Sequence, residues 1–127
     1  MSDLLQLVIS GMGLARIALG LAPFVAAGPV SRLLGFPPEH DSPTTRLMAR
    51  LFGVRDIGLG ILAFYALRHP ETASFLFLFN AAMDAGDLGS ILIPLVKRQG
   101  IDRGALSSAV FALAGGVSWV IVWSLTP

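Results

Sequence analysis

Apolar residues along the chain fall into four long stretches, each with about the 20 residues that an α-helix needs to cross a bilayer. Short polar segments separate these stretches, as expected of connections between helices. The pattern predicts an all-α fold: an integral membrane four-helix bundle of antiparallel up-down hairpins, in one domain over residues 1–127. The predicted spans cover residues 4–27, 44–67, 72–96 and 104–125.

The connections contain the usual helix-boundary signals. Residues 28–43, GPVSRLLGFPPEHDSP, are expected to form the loop after the first span. Within it, Ser42 is the predicted N-cap of the second helix and Pro43 its first residue. Pro23 and Pro94 lie near the ends of the first and third spans, where each removes a backbone hydrogen bond. We expect each to kink or end its helix.

Composition strengthens the membrane assignment. Hydrophobic residues make up 54% of the 127 residues and charged residues 13%, whereas soluble domains carry about 25% charged residues. A net charge of +1 gives no reason to expect a nucleic acid partner. The absence of cysteine excludes a disulfide framework, cysteine-ligated zinc and thiol catalysis. The histidines show no metal-ligand spacing, so we predict no metal and no cofactor.

Basic residues in the connections predict the orientation in the membrane, because Lys and Arg favour the cytoplasmic side. On one side of the predicted bundle, Arg68 is the only basic residue of the connections, whereas the other side holds five basic residues. We therefore expect the loops after helices one and three to be cytoplasmic and both termini to lie outside. The first span lacks the basic start and short apolar run of a signal peptide, so we expect it to be retained. The five basic residues on the predicted cytoplasmic side are Arg32, Arg46, Lys97, Arg98 and Arg103.

Charged residues also fall inside the predicted spans, three of each sign. A charge at the bilayer centre costs about 2.5–3.5 kcal/mol on insertion scales. In an antiparallel bundle the six lie in one layer, so the sequence predicts a balanced cluster that faces the interior. Its members are Arg16, Arg50, Arg55, Asp56, Asp84 and Asp87.

Helical spacing indicates which of these side chains can meet. Asn80, Asp84 and Asp87 stand at i, i+4 and i+7, so they form one polar stripe. The octets GLARIALG (residues 13–20) and GVRDIGLG (residues 53–60) match at four positions, including both terminal glycines.

Glycines allow close approach of membrane helices, and Arg16 and Asp56 occupy the same slot of the two octets. We therefore predict an Arg16–Asp56 ion pair. Arg55 points about 100° away from Asp56, which leaves it free to reach Asp84 or Asp87.

The segments ARIALGLAPFVAAGPVSRLLGFP and RLFGVRDIGLGILAF resemble small four-helix membrane proteins of bacteria and fungi. These proteins are grouped with the DoxX-like proteins, and many belong to an uncharacterised domain family. The resemblance implies a four-helix membrane bundle. It implies no settled activity and assigns no catalytic residue.

The charge cluster supports a first hypothesis, in which a multipass membrane protein binds or converts a lipophilic small molecule. Conversion is by acid/base chemistry, namely epoxide opening, isomerisation or cyclisation, by a cofactor-independent hydrolase, isomerase or cyclase. The candidate substrate-binding residues are Asn80, Arg16 and Arg50. The candidate catalytic residues are Asp84, Asp87, Arg55 and Asp56.

Two other hypotheses fit the same residues. The chain length and intramembrane carboxylates are also similar to those of small proton-coupled transporters, although the arginines disfavour export of cations. Alternatively, the charges fix helix register in a structural or accessory subunit without catalysis. The expected partners are the lipid bilayer and a lipophilic small molecule, and a homodimer that encloses a pocket is a further expectation.

Overall fold

The computed structural model describes residues 1–127, and all of its secondary structure is helical. The predicted all-α class is confirmed. The predicted count of four helices is wrong, because the chain forms five α-helices and a single 3-10 turn at Pro38–His40. The α-helices are α1 (Asp3–Val25), α2 (Ala27–Leu34), α3 (Pro43–Arg68), α4 (Pro70–Val96) and α5 (Asp102–Leu125).

The additional helix, α2, lies in the segment that the sequence predicts to be a loop. Gly28 and Pro29 read as loop signals, but Pro29 falls in the first turn of α2, where its missing N–H needs no helical partner. Gly35 ends α2 with φ 96, in the left-handed region that glycine adopts without strain. A Cβ at Gly104 would overlap the Phe36 ring, so this glycine lets the end of α2 pack against the start of α5.

Three helices, α1, α4 and α5, are long and apolar enough to cross a membrane. These spans support an integral membrane protein. The long helix α3 falls outside this set, and it carries Arg46, Arg50, Arg55, Asp56 and Arg68. Its charges, and not its length of 26 residues, distinguish it from the other three.

The long helices pack in two antiparallel pairs, α1 with α3 and α4 with α5. In the first pair, Gly13 lies against Gly60, and Gly20 lies against Gly53. A Cβ at Gly20 would lie 2.5 Å from the Gly53 carbonyl oxygen, which shows how closely these backbones approach. The predicted role of the two glycine octets in helix contact is therefore confirmed.

Aromatic side chains join α4 and α5 in the half of the bundle that holds the chain termini. Phe77 and Trp119 are buried and stack with their ring centroids 5.7 Å apart. The Trp123 indole Nε1 donates a hydrogen bond to the Ser74 hydroxyl at 2.9 Å.

The hydrophobic core occupies one half of the helical bundle, the half that holds both termini and the α3–α4 turn. In the other half, α3 has no buried residue before Gly53, and α4 has none after Asp84. The charged side chains of α1, α3 and α4 therefore lie at the end of this hydrophobic core. The core residues are Leu5, Ile9, Ala63, Ala66, Ala73, Leu76, Phe77, Ala81, Trp119 and Val122.

The predicted N-cap of α3 is confirmed. The Ser42 hydroxyl accepts a hydrogen bond from the Thr45 N–H at 3.2 Å, and the Ser42 N–H donates to the Thr45 hydroxyl at 2.9 Å, which completes a capping box.

Ser42→Ala is expected to lower the free energy of unfolding by about 1 kcal/mol, because it removes the acceptor for a helix-terminal N–H. Equilibrium unfolding in mixed micelles, followed by circular dichroism, measures the change. Thr44→Ala is the control, because the Thr44 side chain is exposed and makes no hydrogen bond. Equal losses in the two variants would contradict the capping role.

Candidate functional site

Five of the six charged residues that the sequence predicts to share one layer meet there, on α1, α3 and α4. Glycine contacts between α1 and α3 set the depth of this layer, because Arg16 lies between Gly13 and Gly20. A Cβ at Gly20 would lie 2.9 Å from the Cβ of Asp56, so no larger residue fits between α1 and that carboxylate. The close approach of the backbones thereby brings Arg16 and Asp56 to the same depth.

Arg16 of α1 and Asp84 of α4 form the inner ion pair of the cluster. The two guanidinium Nη atoms donate to the two carboxylate oxygens at 2.9 and 2.7 Å. The side chains are 8% and 7% exposed. On its other side, Asp84 packs against α5, where a Cβ at Gly115 would lie 2.8 Å from Asp84 Oδ2. One buried pair therefore links three helices.

Arg55 of α3 and Asp87 of α4 form a second, more open pair. Its two hydrogen bonds measure 2.8 and 2.6 Å. The Arg55 and Asp87 side chains are 29% and 22% exposed. The guanidinium carbon of Arg55 also lies 4.7 Å from the centre of the Phe52 ring. The prediction that Arg55 is free to reach Asp84 or Asp87 is confirmed, with Asp87 as its partner.

Asp56 lies between the two arginines but has no short hydrogen bond to either. Its Oδ1 is 3.5 Å from Arg55 Nη2 and 3.8 Å from Arg16 Nε. Charge-assisted hydrogen bonds between these groups are normally about 2.7–2.9 Å long. The predicted Arg16–Asp56 pair is thus a long contact, because the two Nη atoms of Arg16 face Asp84 and only the Nε edge is turned toward Asp56.

Three buried polar atoms of this layer and its neighbourhood lack a hydrogen-bond partner: Arg16 Nε, Arg55 Nε and Asn80 Oδ1. The Asn80 side chain is fully buried, and its Nδ2 donates to the Leu76 carbonyl oxygen at 3.1 Å. Buried polar atoms are nearly always paired in proteins, so each of these three exceptions calls for an explanation, such as strain, a functional role or a bound water.

Arg50 does not join the cluster, although its sequence position predicts a place there. It is exposed and takes part in no ion pair or side-chain hydrogen bond. Without it, the cluster contains two arginines and three aspartates, so its formal charge is −1 when all five groups are ionised. We also find no group of three or more His, Cys, Asp or Glu side chains that could hold a metal ion.

Two features of the site are absent from the sequence-based prediction. Gly115 and Gly116 of α5 lie against Asp84, and Phe52 lies under Arg55. The sequence contains one signal for the contact with Asp84, because Gly115 and Gly116 are adjacent in an otherwise apolar helix. For the second, Phe52 and Arg55 are spaced i, i+3, which places neighbouring side chains on one helix face.

A family model described as Domain of unknown function (DUF4267) matches residues 13–125. That range contains all five residues of the charged cluster. The match agrees with the predicted resemblance to an uncharacterised family, but it does not confirm a grouping with the DoxX-like proteins. No curated protein and no solved structure matches the chain.

Proposed function

We propose that the protein, which belongs to the family described as a domain of unknown function (DUF4267), binds a lipophilic small molecule at its arginine–aspartate cluster. In this proposal the polar group of the ligand contacts the cluster, and its apolar part lies among the membrane helices. Small-molecule sites generally combine apolar walls with few polar groups.

The observation that carries the proposal is the weak pairing of Asp56. This buried carboxylate has only contacts of 3.5 and 3.8 Å to the arginines on either side. Next to it, the Nε atoms of Arg16 and Arg55 have no acceptor. A hydroxyl, epoxide or carbonyl oxygen in this position would accept from the free N–H groups, and a hydroxyl would also donate to Asp56.

The geometry favours different roles for the four predicted catalytic residues. Asp84 and Asp87 each accept two short hydrogen bonds from an arginine, so a proton transfer through either must first break a bidentate pair. Asp56 has no such bond, which makes it the carboxyl best able to exchange a proton with a ligand. Arg55 is the charged group best placed to meet the ligand, because its pair with Asp87 is partly exposed.

Conversion of the ligand by epoxide opening, isomerisation or cyclisation is the catalytic form of this proposal. A carboxyl and a guanidinium that act together on one oxygen supply the acid/base pair that such reactions need. In the same proposal α3 crosses the membrane with α1, α4 and α5 as a four-helix antiparallel bundle. The α1–α3 and α4–α5 connections face the cytoplasm, and both termini face outside.

The test uses limonene oxide, a lipophilic epoxide, as the probe. It is expected to raise the melting temperature of the purified protein and to bind detectably by native mass spectrometry. Asp56→Asn and Arg55→Gln should each weaken binding at least tenfold, because each removes a group that contacts the polar end of the probe. Product analysis by gas chromatography tests turnover in the same samples.

Arg46→Gln is the matched control, because Arg46 lies on the same helix but pairs with Asp41 outside the cluster. Equal binding by wild type and both cluster variants would show that the probe only partitions into the micelle, and would overturn the proposal.

The two bidentate pairs also favour a structural function for the same cluster. If the charges serve only to join α1, α3 and α4, Asp56→Asn should leave a folded protein that performs its role in the cell unchanged. Complementation of a deletion strain with Asp56→Asn and with Arg16→Leu separates the two functions. If the function is only structural, Asp56→Asn should restore growth and Arg16→Leu should not. If the cluster binds a ligand, neither variant should restore growth.

A further inference from the structure

The charges of the arginine–aspartate cluster do not cancel. Arg16 and Arg55 are opposed by three aspartates, so the cluster has a formal charge of −1 when all five groups are ionised. A net charge among apolar helices is unfavourable, because the surroundings neither solvate nor neutralise it. One bound proton would leave the cluster with no net charge.

The surrounding helices supply no further charge that balances the cluster. Beyond their first turns, α1, α4 and α5 contain no Lys, Arg, His, Asp or Glu other than members of the cluster. On α3, the next charged residue is Arg50, which is exposed and takes part in no ion pair. The only charged residue of α2, Arg32, is exposed in the last turn of that helix. The excess negative charge must therefore be balanced inside the cluster itself.

Asp56 is the carboxyl group that loses least by holding a proton. Asp84 and Asp87 each accept two hydrogen bonds of 2.6–2.9 Å from one guanidinium, and a proton on either would disrupt a bidentate pair. Asp56 has only contacts of 3.5 and 3.8 Å to the arginines, although its side chain is 8% exposed. Carboxylates held close together also favour protonation of one of them.

We propose that the cluster binds one proton and that Asp56 holds it at neutral pH, so that the two arginines balance Asp84 and Asp87. The proton makes Asp56 a hydrogen-bond donor. On the function proposed above, the site then favours a ligand oxygen that only accepts hydrogen bonds, as in an epoxide, ether or ketone. This ligand class rests on the proposed function, whereas the proton on Asp56 does not.

Infrared spectroscopy of the full chain in detergent, without ligand, tests the proton directly. A protonated carboxyl group gives a C=O stretching band that a carboxylate lacks. At neutral pH, wild type is expected to show this band with the intensity of one group per chain, and Asp56→Asn should lose it entirely. Asp41→Asn is the matched control, because Asp41 also pairs with an arginine but lies outside the cluster. It should keep the band.

Asp87→Asn separates charge balance from burial as the cause. This variant leaves two carboxylates for two arginines and frees Arg55, whose Nη2 already lies 3.5 Å from Asp56. Asp56 should then ionise, and the band should disappear from a protein that circular dichroism shows to be folded. Three results would overturn the proposal: a wild-type spectrum without the band, a band that persists in Asp56→Asn, or a band that persists in Asp87→Asn.

Limonene oxide, whose oxygen only accepts hydrogen bonds, tests the ligand class. Above the pH at which the infrared band disappears from wild type, its binding should weaken about tenfold per pH unit, because only the protonated fraction of Asp56 can donate. Constant binding across this range would overturn the ligand class and leave the proton in place. Absence of binding at every pH would count against the function proposed above, while the infrared spectra would still decide whether Asp56 holds a proton.

Discussion

Replacing Arg16 with leucine is expected to lower the free energy of unfolding by about 3–5 kcal/mol, the usual effect of removing one partner of a buried ion pair. The loss is large because Asp84 would remain 7% exposed, without its two hydrogen bonds, in a layer that also holds Asp56. Unfolding by sodium dodecyl sulfate in mixed micelles, followed by circular dichroism, measures the change.

The double variant Arg16→Leu with Asp84→Leu tests the same interaction from the other direction. It removes both charges and fills the space with apolar atoms, so it should recover most of the stability that the single change loses. A double variant as unstable as Arg16→Leu alone would contradict the assigned pairing.

The control is Arg46→Leu, which breaks an ion pair near the surface. Hydrogen bonds from Arg46 hold the pKa of Asp41 below its ordinary value, but the guanidinium is 47% exposed to solvent. Solvent screens such pairs strongly, so the loss of stability should be far smaller than for Arg16→Leu. A comparable loss would indicate that any arginine removal destabilises the chain, whatever its burial.

Hydrophobic length and glycine spacing were sufficient to predict the four long helices and the layer in which the charges meet. The octets around Arg16 and Asp56 place both residues at one depth because helix rise per residue is fixed. The pattern of exposed and buried positions is less informative in a membrane protein, since lipid-facing and core-facing residues are both apolar. The short helix α2 was not predicted from the sequence, because Gly28 and Pro29 are residues typical of loops.

The choice of partner within the cluster could not be read from spacing. Arg16 faces both Asp56 and Asp84, and three aspartates compete for two arginines. A guanidinium binds a carboxylate best through two parallel N–H groups, and helical spacing does not show which carboxylate lies with both oxygens facing Arg16. Gly115 and Gly116 of α5 contribute to that position because they leave room for Asp84.

The second large effect is expected from Gly20→Ala, which should lower the free energy of unfolding by about 1–3 kcal/mol, as overpacking usually does. The new methyl group would meet the Gly53 carbonyl oxygen at 2.5 Å, the Ile57 nitrogen at 2.8 Å and the Asp56 Cβ at 2.9 Å. Two of these three atoms belong to the backbone of α3, so no side-chain rotation relieves the contact and the helices must separate. Reversible unfolding in mixed micelles gives the stability.

Gly11→Ala is the matched control on the same helix, because a Cβ at Gly11 has no atom within 4 Å. Alanine favours the helix over glycine by up to about 1 kcal/mol, so this variant should be as stable as wild type or slightly more stable. The same glycine-to-alanine change is therefore expected to lower the free energy of unfolding at Gly20 and to preserve or raise it at Gly11. If both variants lost stability equally, the close approach of α1 and α3 would not be the interaction that sets the depth of Arg16 and Asp56. Weaker probe binding by Gly20→Ala, with Gly11→Ala unchanged, would connect that approach to the site, since separation of the helices also displaces Asp56.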